Sequence, residues 1–344
     1  MREPEVGGAL PALAWLTLAF LIFLPVLSVL WTLFATTAFL AEFLSEGRFP
    51  LLSAVTPSPV VRSLPTSEGP SLDADLYQPF IRWPPRNLVL VHGLAPAGKT
   101  DPRLQEGARL LARAGFRTLV PTLPSLTRFR PRPEDAETVV RAIQTFGPSG
   151  RVKIMGISVG AGPALLAAAD PRVASEVSGV LGLGGYASTA ELLRYFLTGT
   201  YRYGAVAGRV RLDPLPVRHF VQANADLLDD TALRLLKNRD PAQVESLVRD
   251  LSPGLRSLLD ALSPERVIGR LRGQLFLVHG KNDPAVPFTE SLRLADLARG
   301  RVPTRLVILS SVGHVEPEAA PPGRWGAAGE LLGLWALTYA FFSL

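Results

Sequence analysis

Apolar residues follow different patterns in different parts of this chain. Near the amino terminus, Val6 to Ala41 form a run of 36 residues without a charge. From about residue 71 onward, short apolar runs typical of buried strands alternate with longer segments of helical periodicity. The strand-like runs are 88–92, 117–120, 152–155, 179–183, 274–278 and 304–309, and helix-like segments lie at 102–114, 134–146 and 289–298. This alternation predicts an α/β fold with a mostly parallel sheet covered by helices on both faces.

The amino-terminal run predicts a transmembrane helix. A bilayer span needs about 20 apolar residues, whereas the apolar region of a signal peptide has about 7 to 15. We therefore expect a single-pass anchor within residues 1–45 that contacts the bilayer through residues 9–44. The run exceeds one span, so a kink or hairpin turn at Pro25 and an interfacial segment from Trp31 to Leu44 are alternatives. Arg2 on the amino-terminal side slightly favours an extracytoplasmic main domain.

The remaining chain divides into a linker and one large domain. Residues 46–70 are rich in Pro, Ser and Thr and predict a linker, and residues 71–344 form the predicted domain. Between residues 187 and 272 the alternation stops, with helix-like stretches and no clear strand. This region predicts a helical cap whose aromatic residues either line a substrate pocket or hold the cap together. The uncharged residues 331–344 predict a helix packed on the sheet, with a shallow membrane contact as the alternative.

Composition removes several classes of chemistry. The chain has no cysteine, which excludes disulfides, thiolate catalysis and Cys-based metal sites. The net charge is +6, but the basic residues, mostly arginine, are scattered and form no stripe with interleaved aromatics. We therefore expect no nucleic-acid partner. With only four histidines, the chain offers few candidates for a general base.

The pentapeptide from Gly156 to Gly160, with the sequence G-x-S-x-G, follows a strand-like run and precedes an Ala-rich segment. That context is typical of a nucleophile elbow, a sharp turn that presents a serine hydroxyl at the carboxyl end of a strand. Gly156 and Gly160 leave room for strand and helix to approach each other. Ser158 is therefore the candidate nucleophile, although the pentapeptide also occurs by chance in unrelated chains.

Other residues supply the remaining parts of an acyl-transfer site. The strand-like run at 88–92 ends in His92 and Gly93, and we expect the backbone amides of Leu94 and Val159 to form an oxyanion hole. His92 is expected to brace this loop. Asp283 follows another strand-like run and can orient an imidazole. His314 lies in the loop after the last strand-like run, so the chain order is nucleophile, acid, base.

These motifs resemble those of the α/β-hydrolase superfamily over roughly residues 70 to 344. The resemblance rests on the His-Gly loop at 92–93, the elbow at 156–160, the H-G-x-x-D-x-x-V-P turn at 279–287 and the Gly-His pair at 313–314. It implies a central sheet of about eight strands, a cap between the sixth and seventh strands, and a triad of Ser158, Asp283 and His314. It also implies no metal and no organic cofactor. A serine nucleophile argues against dehalogenases and epoxide hydrolases, whose nucleophile is an aspartate.

The expected function is a membrane-anchored serine hydrolase that cleaves carboxylic esters, with small-molecule or lipid-like substrates because the anchor would hold the site near a bilayer. The same triad also serves amide or peptide hydrolysis and acyl transfer. A silent hydrolase-fold domain that binds a ligand is the alternative from another class.

Overall fold

The structure is a computed structural model that describes residues 9–64, 72–80, 86–147, 150–210, 219, 222–227, 229–310 and 324–344. Within these residues, eight strands form one sheet in the order β1-β2-β4-β3-β5-β6-β9-β10, and β7 pairs with β8 in a separate hairpin. The strands are β1 (Val60–Leu64), β2 (Ala74–Gln78), β3 (Asn87–Val91), β4 (Arg117–Pro121), β5 (Val152–Ile157), β6 (Val177–Leu183), β7 (Thr200–Tyr203), β8 (Val206–Arg209), β9 (Gln274–Gly280) and β10 (Thr304–Leu309).

Helices connect and cover these strands. They are α1 (Ala9–Leu44), α2 (Leu51–Val55), α3 (Pro102–Arg113), α4 (Pro124–Thr127), α5 (Glu134–Gln144), α6 (Ala161–Ala168), α7 (Thr189–Thr198), α8 (Asp230–Lys237), α9 (Pro241–Arg249), α10 (Pro253–Ala261), α11 (Thr289–Ala298) and α12 (Arg324–Ser343). The predicted fold class is confirmed, with helices on both faces of a sheet that is parallel from β4 to β10. The first two strands, β1 and β2, run antiparallel to their neighbours.

Side chains on the central strands alternate between two separate cores. In β3, Leu88 and Leu90 belong to the core beneath α1, α3 and α12, whereas Val89 and Val91 belong to the core beneath α5, α6 and α11. A period of two is required because successive side chains of a strand point to opposite faces. Since both faces are covered by helices, the central strands are apolar at nearly every position.

The last third of α1 is part of the domain that contains the sheet. Ala35, Ala38, Phe39 and Leu40 are buried in the core with α3 and α12. The ring of Phe39 lies 5.4 Å from that of Phe342. The expectation that residues up to 44 contact the bilayer therefore fails for the buried side of this segment. Composition alone does not separate an apolar helix packed on protein from one in lipid.

Helix α1 leaves the domain beside the amino ends of β3 and β4. The Trp31 indole donates to the Ala114 carbonyl at 3.3 Å, and Arg86 donates to the Thr32 hydroxyl at 2.7 Å. Arg86 directly precedes β3, and Ala114 lies between α3 and β4. Among the preceding side chains, Phe23 is 60% exposed. We call this side of the sheet the amino edge, and the opposite side the carboxyl edge.

The described part of α1 contains one stretch, Phe23–Leu44, that is apolar and long enough to cross a membrane. A signal sequence near an amino terminus or a core helix has the same features. The structure thus contains an apolar amino-terminal helix that fits either a membrane span or a signal sequence.

The regions predicted as linker and cap contain additional structure. Residues 46–64 include α2 and the edge strand β1. The buried Glu42 carboxylate of α1 accepts hydrogen bonds from the Leu52 and Ser53 amides, which fixes the start of α2. The cap contains α7, α8, α9 and α10, and it also contains the β7–β8 hairpin, which the sequence pattern did not indicate. The Tyr203 hydroxyl of this hairpin donates to Asp296 of α11 at 3.0 Å.

Candidate active site

Ser158 lies in a strained turn between β5 and α6. Its φ angle is 53°, one of three positive values among the non-glycine residues that the structure describes. A left-handed conformation costs an L-residue about 1–2 kcal/mol, so it persists only where the surroundings enforce it. β5 ends at Ile157, and α6 begins at Ala161. The turn therefore places the Ser158 hydroxyl at the carboxyl edge of the sheet.

Three glycines surround this turn at positions where a side chain would be crowded or would collide. A Cβ at Gly156 would lie 2.6 Å from the Cα of Ala161, and one at Gly160 would collide with the His92 carbonyl. Gly93 is the closest to the serine, because a Cβ there would lie 3.2 Å from the Cβ of Ser158 and 3.7 Å from its Oγ. The backbone of the loop after β3 thus runs directly beside Ser158.

His92 fixes the loop that carries Gly93 and Leu94. Its ring is buried, with Nδ1 2.7 Å from the Gly93 carbonyl oxygen and Nε2 accepting a 2.9 Å hydrogen bond from the Leu123 amide. These partners require the proton on Nδ1, which leaves no lone pair for general-base work. Burial lowers the pKa of His92, so the ring stays neutral at neutral pH.

Asp283 occupies a buried turn after β9. One carboxylate oxygen accepts from the Ala285 and Val286 amides at 2.7 and 2.9 Å, and the other lies 3.4 Å from Nε2 of His279. The His279 ring is itself held by Ser291 and by the Val286 carbonyl. From the cap, the Tyr195 hydroxyl reaches the carbonyl oxygens of Asp283 and Pro284 at 3.2 and 3.1 Å.

The predicted site residues follow different strands, but they lie at the same edge of the sheet. Leu94 follows β3, Ser158 follows β5 and Asp283 follows β9, and the carboxyl ends of parallel strands meet on one side of a sheet. His314 lies outside the described residues, in the segment between Ser310 and α12. Ser310 is the last described residue before it, and its amide donates to Glu330 of α12 at 2.8 Å.

An apolar cavity lies between the cap and the carboxyl edge, and it encloses about 950 Å³ including its open mouth. Leu94 and Val159, the predicted oxyanion donors, form part of its wall beside the sheet. Leucines of the cap form most of the remaining wall: Leu192, Leu193, Leu235, Leu236, Leu251, Leu255, Leu258, Leu259 and Leu262. Tyr186 and Phe196 also line the cavity, so the cap aromatics both shape the cavity and, as Tyr195 shows, fasten the cap.

Two of the polar residues in this wall, Arg132 and Asn224, were not anticipated from the sequence. Arg132 precedes α5, and Asn224 belongs to the cap, 92 positions away, yet the guanidinium donates to the Asn224 side-chain oxygen at 3.0 Å. The Arg132 amide donates to Asp135 at 2.8 Å. Burial raises the pKa of Asp135 to about 6. The sequence around Arg132 contains no motif that marks a binding residue.

The described residues contain no group of three or more His, Cys, Asp or Glu side chains that would hold a metal ion.

Comparison with known proteins identifies a related family. The sequence model of a family described as "Alpha/beta hydrolase family" matches residues 88–324, well over half of the chain. No curated protein sequence matches this chain.

Solved structures share the fold at low sequence identity. An acylaminoacyl peptidase in complex with Z-Gly-Gly-Phe-chloromethyl ketone superimposes with a TM-score of 0.53 and 15% identity, covering 86% of this chain and 43% of the peptidase. A Mycobacterium tuberculosis puromycin-hydrolyzing peptidase gives 0.52 and 18%, covering 86% and 40%. A Pyrococcus horikoshii acylaminoacyl peptidase gives 0.51 and 17%, covering 85% and 43%. The chain therefore spans about two fifths of the length of these peptidases, and the likeness concerns the fold.

Proposed function

The chain belongs to the alpha/beta hydrolase family, and from this premise we propose that it cleaves carboxylic ester bonds through an acyl-enzyme on Ser158. The observation that carries the proposal is the strained Ser158 turn, with φ 53°, at the wall of an apolar cavity. Backbone strain of this kind concentrates at functional sites. A cavity lined mainly by leucine suits the acyl chain of an ester better than the polar backbone of a peptide.

In the proposed mechanism, His314 removes the proton from the Ser158 hydroxyl as its oxygen attacks the acyl carbon. Asp283 holds the imidazole of His314 in the required tautomer and stabilises its cation. The amides of Leu94 and Val159 donate to the oxyanion of the tetrahedral intermediate. The alcohol leaves with a proton from His314, and a water molecule activated by His314 then releases the acid from Ser158.

We further propose that α1 anchors the enzyme in a membrane. Residues 9–30 precede the part of α1 that packs on the domain, and 22 helical residues extend about 33 Å at 1.5 Å per residue. This length matches a hydrocarbon layer of about 30 Å. The continuous helix would join the span to the domain without a flexible linker.

The test is hydrolysis of p-nitrophenyl esters of increasing acyl length by the full chain in non-ionic detergent. We expect turnover that falls by up to about six orders of magnitude in Ser158→Ala, since the triad residues act as a unit. Covalent labelling of Ser158 by a fluorophosphonate is the second readout. Ser246→Ala serves as the matched control, because Ser246 is exposed on α9 and does not line the cavity.

Three outcomes are informative. Ester turnover that depends on Ser158 supports the proposal. Hydrolysis of p-nitroanilides in preference to esters would replace it with an amidase of the same mechanism. Absence of both turnover and labelling in a folded sample would contradict a serine hydrolase and favour a binding domain.

A further inference from the structure

Arginines lie at the starts of five of the six parallel strands of the sheet, on the line of the strand or within three residues before it. We call them the strand-start arginines: Arg117 (β4), Arg86 (β3), Arg151 (β5), Arg272 (β9) and Arg301 (β10). All of them except the half-buried Arg86 are exposed. Their charges are therefore available to a partner outside the domain.

The strand-start arginines share the amino edge, because parallel strands have all their starts on one side of the sheet. The Arg117 amide donates to the Arg86 carbonyl at 2.7 Å, and the Val152 amide of β5 donates to the carbonyl of Glu176, the residue before β6, at 2.9 Å. Neighbouring strands lie about 4.8 Å apart, so six of them extend over about 24 Å. That spacing is shorter than the Debye length of about 8 Å at physiological ionic strength, and the fields of neighbouring charges add.

Acidic side chains do not neutralise this row. Asp170 and Glu137, on the helices beside it, pair with Arg172, and Asp296 pairs with Arg299. Within the described part of the chain, the strand-start arginines form no ion pair. Five arginines and one glutamate at the strand starts leave a positive excess comparable with the net charge of +6 of the whole chain.

Helix α1 brings this edge to the level of lipid headgroups. Residues 9–30 form the proposed span, so Trp31 lies where the span ends, and tryptophan is enriched at the membrane–water interface. The Trp31 indole donates to the Ala114 carbonyl at 3.3 Å, and the next residue, Thr32, accepts from Arg86 at 2.7 Å. Arg86 is thereby placed beside the end of the span, and the other strand-start arginines continue from it along the same edge.

We propose that the amino edge docks on the surface of the membrane and binds anionic lipid headgroups through the strand-start arginines. Guanidinium groups bind phosphate oxygens through short, charge-assisted hydrogen bonds. Basic residues close to an anionic leaflet are attracted to it within a Debye length. This inference rests on the anchor in the proposed function and is independent of the reaction at Ser158. Docking would fix the orientation of the domain on the membrane.

The experiment measures how close the amino edge lies to the lipid headgroups. The chain contains no cysteine, so Gln144→Cys introduces a single thiol for a bimane label. Gln144 is exposed at the end of α5, which connects the carboxyl end of β4 to the amino end of β5. Ser246→Cys, exposed on α9 of the cap, is the matched label position. The full chain is placed in vesicles that contain a lipid with a nitroxide on its headgroup, which quenches bimane at close range.

We expect the label at position 144 to be quenched more strongly in vesicles of phosphatidylcholine with phosphatidylglycerol than in phosphatidylcholine alone. The label at position 246 should show no such difference. Raising the salt concentration to about 1 M, where the Debye length is about 3 Å, should remove the difference at position 144.

Arg151→Gln combined with Arg272→Gln tests the arginines themselves. One exposed arginine near an anionic surface shifts the equilibrium toward docking by about fivefold, so the double variant should shift it back by about 25-fold. Arg249→Gln combined with Arg256→Gln removes the same charge from exposed positions of the cap and should leave the quenching unchanged. If the first double variant does not fold, its two single variants and the salt dependence of the unsubstituted arginines decide.

Equal quenching at position 144 in the two lipids, or a difference that survives in Arg151→Gln/Arg272→Gln, would overturn the inference. So would binding of a DNA duplex through the same arginines without any lipid preference, which would assign the edge to nucleic acid. A carbonate wash separates docking from the anchor. A chain that is released by the wash but binds phosphatidylglycerol vesicles through Arg151 and Arg272 would preserve docking and remove the anchor. A chain that resists the wash and shows equal quenching would preserve the anchor and remove docking.

Discussion

Ser158 and Phe129 have positive φ angles, 53° and 58°, and both belong to loops at the cavity. Each conformation costs on the order of 1–2 kcal/mol, which the surrounding contacts must offset. Around Ser158 this is achieved by the close approach of three backbone segments at Gly93, Gly156 and Gly160. The shape of the nucleophile turn therefore depends on missing side chains as much as on the serine.

We expect Gly160→Ala to abolish Ser158 labelling and to destabilise the fold by several kcal/mol. The φ angle of Gly160 is −64°, which any residue adopts, so the effect is purely the collision of the new Cβ with the His92 carbonyl. Gly107→Ala is the matched control in α3, where a Cβ meets no atom within 4 Å. That change should stabilise the protein by about 0.5–1 kcal/mol. Urea unfolding measures both effects, and equal stabilities would contradict the steric explanation.

At the residue scale, the sequence indicated those candidate site residues that belong to short motifs. Ser158, Gly160 and Asp283 lie in short motifs that also determine the local backbone, so their positions at the carboxyl edge followed from the strand pattern. Arg132 and Asn224 have no such motif, and they meet only because the cap folds over the sheet. The assignment of His314 as base remains a prediction, since it lies outside the described residues.

Helix α1 has two parts with different surroundings although its composition is uniform. Up to about Leu30 its described side chains are largely exposed, and from Trp31 they pack on α3 and α12. Polar contacts with other elements are found in the second part, where Trp335 donates to Thr37 at 3.0 Å and Glu42 binds the start of α2. The hydrolase domain therefore begins, in physical terms, near residue 31.

A chain that begins at Trp31 should fold, whereas one that begins at Ser45 should be strongly destabilised. The second truncation removes the buried side chains of Phe39 and Leu40, each worth about 1.5–3 kcal/mol, and exposes the α12 residues beneath them. This loss is comparable with the 5–15 kcal/mol that stabilises a typical domain. Chemical unfolding followed by tryptophan fluorescence tests the expectation, and equal midpoints would refute it.

Two point variants control for the effect of truncation itself. Phe39 is 7% exposed and Phe34 is 40% exposed on the same helix. Phe39→Ala should cost about 3–5 kcal/mol, and Phe34→Ala should cost much less.

At the scale of elements, the strands and the helices between them were predictable because their periodicity is set by burial on two faces. The β7–β8 hairpin was not, because its residues are mostly half-buried or exposed and show no strong alternation. Its position depends on contacts with α11, a helix that is distant from the hairpin in sequence.

At the scale of the whole molecule, an apolar helix is joined to a folded domain, and the full chain has a net charge of +6. We expect the full chain to stay with membranes after a carbonate wash and to retain its amino-terminal residues. The chain that begins at Trp31 should instead appear in the supernatant, because its remaining apolar helix is covered by the domain. Intact mass measurement distinguishes an anchor from a signal sequence, and a mature protein without residues 9–30 would contradict the anchor.

Helix α1 departs from the amino edge of the sheet, and the cavity lies at the carboxyl edge. A strand of six residues separates these edges by about 20 Å at 3.3 Å per residue. With α1 embedded in the membrane, the mouth of the cavity would face away from the lipid surface, toward the aqueous phase. Its substrates would then reach the cavity as dissolved single molecules rather than from within the lipid layer.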